Sequence, residues 1–116
     1  MKFKAIIPLT VAAAALAAFL APVAHAEDAS VIWTKTCASC HGKDGKGETR
    51  MGRKVGVKDY TDAKVQADLT DEKAIKTIKE GLKDDQGKER MKAYGDVYSD
   101  DEIKSLVAYL RAFKPK

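Results

Sequence analysis

Proline is absent between Pro22 and Pro115, and that whole stretch holds only two cysteines, Cys37 and Cys40, besides the single histidines His25 and His41. Each scarcity excludes a class of protein. A tetrahedral zinc site takes four ligands, and with His25 in a leading segment expected to be removed, two cysteines and His41 are too few. A thioredoxin-like dithiol sits in a βαβ frame beside a cis-proline loop. No proline is placed to form that loop, and no alternating run of β-branched residues suggests a sheet. A simple disulfide between cysteines three residues apart would be strained and would constrain almost nothing in the unfolded chain. Charge of one sign is missing too. The 21 Lys and Arg are interleaved with 17 Asp and Glu, which is not the basic stripe of a nucleic-acid-binding surface. There is no internal repeat and no low-complexity tract beyond the Ala-rich start.

That start reads as a targeting segment. A basic opening, Met1-Lys2-Phe3-Lys4, leads into an apolar run from Ala5 to Val23 and then Ala24-His25-Ala26 before Glu27. This is the pattern of a secretory signal with an A-x-A cleavage site. The apolar run is nearly long enough to span a bilayer, so an uncleaved anchor is the other reading, but Pro8, Pro22 and the small residues flanking His25 favour removal. The expected organisation is a signal peptide over residues 1–26 and one domain over 27–116, exported to the periplasm and membrane-anchored only if the signal stays. Such a domain lies near the lower size limit that one apolar core stabilises unaided. An additional apolar body to bury would help it fold.

Three stretches read as helices. Asp28 is placed to cap the first, which runs to about Cys40 and is stopped by Gly42. The second covers Asp71 to Glu80, with Thr70 as cap, acidic residues in its first turn, Gly81 at its end, and an apolar face of Ala74, Ile75, Ile78 and Leu82. The third begins at the capping box Ser99-Asp100-Asp101-Glu102 and continues through Ile103, Leu106, Val107, Leu110 and Phe113 at helical spacing. Between the first two lies a Gly- and Lys-rich connection, 42–69, with one short helical turn expected around Asp62 to Ala67. A connection of that length in a small domain wraps around something or is functional itself.

Cys37-Ala38-Ser39-Cys40-His41 supplies the reason, since C-x-x-C-H is the attachment sequence of c-type haem. On a helix, residues three and four apart share a face. Two thiols can therefore add across the two vinyl groups on one porphyrin edge while the adjacent imidazole reaches the iron. With no other histidine left after processing, the natural sixth ligand is a methionine sulfur. Met91, in the Gln86 to Asp96 loop before the last helix, suits a chain that passes down one face of the ring and up the other. Met51, only ten residues after His41, would have to turn tightly around the ring edge. An open or lysine-ligated iron is the remaining alternative.

On these residues the chain resembles the small class I bacterial cytochromes c over residues 28 to 114. The resemblance implies an all-α fold with three main helices and a long loop wrapped around one covalent haem c. It implies packing of Trp33 and Ala29 in the first helix against Leu106-Val107-Ala108-Tyr109-Leu110 in the last, with Lys88-Glu89-Arg90-Met91-Lys92 as the methionine-ligand loop. No proline follows Met91, and Val55-Gly56-Val57 stands where the family often has Gly-Pro to orient the proximal imidazole. The implied function is one-electron transfer with His41 and Met91 as axial ligands, without enzymatic turnover or a small-molecule substrate. Should Met91 not ligate, a five-coordinate haem sensor or gas-binding protein is the alternative. Partners would be redox donors and acceptors, including membrane-bound respiratory complexes, met by a monomer in transient complexes. Lys43, Lys46, Arg50, Arg53, Lys54 and Lys58 could form a basic rim for an acidic partner, and Arg53, Lys54 or Tyr60 could bind a haem propionate.

Overall fold

Asp28 caps the first helical run through its side chain, which accepts from the Ser30 backbone N–H. In this computed structural model, describing residues 26–115 together with Lys2, Pro8 and Thr10, that run is continuous but not uniform. It comprises α1 (Ala29–Ile32), a π-helical segment (Trp33–Cys37) and α2 (Ala38–His41), and Gly42 ends it. The expected helix is present, with a π-type turn in its middle. Such turns add a residue to the helical repeat and recur at functional sites; here it leads directly into Cys37. The signal-peptide reading concerns residues that lie almost wholly outside those described. No helix among the described residues is long and apolar enough to cross a membrane.

The connection from 42 to 69 contains two short helices. One, α4 (Ala63–Asp68), matches the expected turn, with Asp62 as its cap. The other, α3 (Arg50–Val55), was not anticipated: Thr49 caps it through its side chain, Gly56 ends it in a left-handed conformation, and Met51 lies on it. The helix α5 (Asp71–Glu80) has the bounds and Thr70 cap read from sequence. Its apolar face is shorter than expected. Ala74 is buried and Ile75 and Ile78 are partly so, but Leu82 is 48% exposed and belongs to a strand.

That strand was not read from sequence, and the all-α expectation stands beside it. Leu82–Lys83 (β1) pairs antiparallel with Glu89–Met91 (β2), and Leu82 faces Met91 in the register. The two-residue strand carries no detectable alternation. Its turn is set instead by Asp84, whose side chain accepts from the backbone N–H groups of Gln86 and Lys88, the local bonding by which Asp favours turns. The fold is otherwise all-α.

The last helix, α6 (Asp100–Arg111), has both bonds of the capping box between Ser99 and Glu102. It packs on α1 and on α5 and buries Ile103, Leu106, Val107 and Leu110. Trp33 joins the two ends of the chain, with ring centroids 5.6 Å from Tyr109 and 5.1 Å from Phe113. At the C-terminal end of α6, Arg111 donates to Asp71, to the Gln66 carbonyl and side-chain oxygens, and to the Leu69 carbonyl. The buried Gln66 side chain in turn donates to the carbonyls of Tyr60 and Leu110. Every polar atom of that amide is satisfied, as a buried amide requires.

At the other end of α6 the Glu102 carboxyl is held below its ordinary range, chiefly by the Ser99 backbone N–H and additionally by that of Glu27. Asp100 is likewise lowered by Lys79, 2.8 Å away. A depressed carboxylate contributes stability that is complete above its unfolded value, about 4, and is lost as pH falls through the folded value. Replacing Glu102 with Gln should therefore lower the melting temperature at neutral pH while flattening its fall in acid, as thermal unfolding followed from pH 7 to pH 3 would show.

Candidate functional site

The helical segment that carries Cys37, Cys40 and His41 places all three on an apolar cleft with two lobes. One lobe is lined by Cys37, His41, Tyr60, Tyr94 and Met91, with aliphatic side chains from α5 and α6. The other, of about 330 Å³, is lined by Cys40, His41, Val55, Tyr60, Arg90 and Met91 among others. His41, Tyr60, Leu69, Thr77 and Met91 border both lobes. The two cysteines thus flank the cleft, one per lobe, while the imidazole and the Met91 side chain line its full extent.

His41 is held among aromatic rings. Its centroid lies 5.6 Å from that of Trp33 and 5.5 Å from that of Tyr60, both tilted. Trp33 is itself fixed by donating its indole N–H to the Gly42 carbonyl at 2.9 Å. Burial lowers the His41 pKa, favouring the neutral imidazole that metals bind. Its Nδ1 is buried without a hydrogen-bond partner, an exception in a protein interior.

The cysteines are not bonded to one another. Burial, and then the neighbouring Cys40, push the Cys37 thiol up to about 11. A redox dithiol needs the opposite shift, since its nucleophile is a thiolate of lowered pKa. Free thiols, a neutral imidazole and an apolar slot are together the donor set and cavity that a covalently attached haem requires.

The other methionine considered, Met51, does not share the cleft. Met51 is 45% exposed on α3 and lines neither lobe. Of the residues considered for a propionate, Tyr60 borders both lobes, whereas Arg53 and Lys54 border neither. All six basic residues between 43 and 58 are exposed, and Lys58 reaches the lobe that holds Cys40.

Three contacts around the cleft were not read from sequence. The Thr49 hydroxyl donates to the Cys40 carbonyl at 2.7 Å and accepts from the Gly52 N–H at 2.8 Å, tying α3 to the end of the attachment helix. The backbone N–H groups of Tyr94 and Gly95 donate to the Ile78 and Lys79 carbonyls, so the segment after Met91 satisfies the open end of α5. Arg90 reaches across to the Val55 carbonyl. Thr49 is a residue type that caps helices, but Gly52 in the following turn lowers helix propensity; the other two contacts have no local signature.

Against this geometry the relatives can be set. The family model described as cytochrome c oxidase, cbb3-type, subunit III matches residues 24–110. The chain belongs to this family of c-type cytochrome domains. It is similar to the solved structure of the KustC0563 c-type cytochrome, with 32% identity and a TM-score of 0.66 over 75% of this chain and 98% of that one. It is also similar to a mutant of Kustc0563, at 32% identity and a TM-score of 0.64 over 75% and 99% of the two chains. No curated protein sequence matches. This cytochrome therefore has the all-α cytochrome c fold, binds haem c covalently with its iron, and serves electron transfer through that haem. Proteins of its family are generally electron carriers rather than enzymes, and their partners are redox proteins.

Gly52 is where α3 comes closest to the attachment helix. A Cβ placed there would stand 2.4 Å from the Cys40 carbonyl oxygen and 2.6 Å from that of Gly47. Overpacking of this kind costs typically 1 to 3 kcal/mol, so Gly52→Ala should lower stability by about 2 kcal/mol in urea unfolding of the haem-loaded protein.

Proposed function

We propose that this cytochrome is a periplasmic one-electron carrier in which Cys37 and Cys40 hold the haem through thioether bonds and His41 and Met91 are the axial ligands of its iron. The observation that carries the reading is the cleft itself, which both thiols, the imidazole and one thioether line from α2, the π-helical segment and β2. Bound haem supplies the Fe(III)/Fe(II) couple. The chain supplies the rest. His41 offers a neutral nitrogen donor, kept so by burial. Met91 offers a soft sulfur that raises the reduction potential relative to a second imidazole and occupies the position that oxygen or peroxide would need. The apolar walls exclude water and hold the site in one geometry, so that electron transfer requires little rearrangement.

Export is supported by the opening sequence and by a contact. The Glu27 backbone nitrogen lies 3.0 Å from a Glu102 carboxylate oxygen. Cleavage after Ala26 would turn that nitrogen into an α-ammonium facing a carboxylate, a better partner than the amide it replaces. The exposed basic residues from Lys43 to Lys58 favour encounter with an acidic face on a donor or acceptor. Transient complexes of a monomer fit a carrier of this size, with neither nucleic acid nor a small-molecule substrate involved.

The air-oxidised protein should show the near-infrared charge-transfer band of sulfur bound to ferric haem and should not bind carbon monoxide once reduced. Met91→Ala should lose the band and bind carbon monoxide; a variant spectrum identical to the parent's would remove Met91 from the site and leave an open-iron sensor as the reading. Mass spectrometry of periplasmic protein should give residues 27–116 plus one haem. A Cys37→Ala/Cys40→Ala variant should lose most of its far-ultraviolet helical signal, because the walls of the cleft then have nothing to pack against.

A further inference from the structure

Arg90 precedes Met91 on β2, and its guanidinium crosses 35 residues of sequence to donate from Nε and Nη2 to the carbonyl of Val55, the Nε bond measuring 3.0 Å. That carbonyl belongs to the last residue of α3, just before the left-handed Gly56. It is one of the acceptors that a helix leaves open at its C-terminus, where the helix dipole also favours a cation. The other end of α3 is tied to the Cys40 carbonyl through Thr49. Covalent attachment at Cys40, the Thr49 cap, the helix, the Val55 carbonyl, Arg90 and Met91 therefore form one continuous mechanical path across the cleft. Val55, Gly56, Arg90, Met91 and Cys40 all border the same lobe, so the path spans its mouth.

We propose that Arg90 is a positioning residue for the Met91 sulfur, closing α3 over the cleft as a strap that holds β2 against the attachment helix. This rests on Met91 being the sixth ligand. The β1–β2 pairing supports Met91 from the side of α5 only, through Leu82. The guanidinium fork provides the opposing tether, and two donors on one carbonyl fix the strand's direction as well as its distance. An exposed lysine at the same place would keep the charge at the helix end without the fork.

The test compares haem-loaded parent, Arg90→Ala, Arg90→Lys and Met91→Ala proteins for the rate of imidazole binding to the ferric form, the sulfur-to-iron band, and the urea midpoint. A charged hydrogen bond near the surface corresponds to roughly a tenfold change in the fraction of open sites. Arg90→Ala should therefore keep the band at neutral pH and bind imidazole about tenfold faster, with a urea midpoint lowered by no more than the same free energy, and Arg90→Lys should recover only part of the difference. Imidazole rates unchanged in Arg90→Ala, with or without a drop in urea midpoint, would overturn the positioning role. An unaltered band in Met91→Ala would overturn the ligand assignment instead, so the two failures are told apart.

Discussion

The burial of Trp33 is the contact on which the rest of the molecule depends. Its ring touches Tyr109 and Phe113 of the C-terminal region on one side and His41 on the other, while its indole N–H ends the attachment helix by binding Gly42. A single side chain thereby couples the packing of the two terminal helices to the placement of the imidazole. In a domain this small, no separate scaffold is available to hold the site. The core and the cofactor cleft share their walls: Leu106 and Leu110 are buried in α6 and line the lobe containing Cys37.

Much of this was legible in the residue order. The caps at Asp28, Thr70 and Ser99 are local chemistry, in which a short polar side chain meets open backbone donors within three residues, and the helices begin where those caps stand. The placement of Cys37, Cys40 and His41 on one cleft follows from helical spacing. What sequence did not disclose is non-local. The strand pair at Leu82 and Met91 is too short to show a period, and its residues gain their partners only when the chain folds back. The π-type turn at Trp33–Cys37 leaves no mark in composition. The short helix α3 was hidden by its glycine. Gly52 lowers helix propensity, yet close approach to the Cys40 carbonyl demands it.

The absence of the family's usual proline after the attachment segment has a counterpart in these contacts. His41 Nδ1 is without a partner, and the ring is oriented by Trp33 and Tyr60 on its two sides. Aromatic contact constrains the plane of an imidazole but donates no acceptor to its N–H.

The contacts between the two ends of the chain also set an order of events in the protein's making. Trp33 meets Tyr109 and Phe113, the Glu27 nitrogen meets Glu102 across 75 residues, and Arg111 binds groups 40 and 45 residues before it. Contacts so distant in sequence carry a loop-closure cost and form late. A chain that emerges amino end first presents the two thiols long before the closing helix arrives. Docking of α6 then completes the wall of the lobe that Cys37 shares with Leu106 and Leu110.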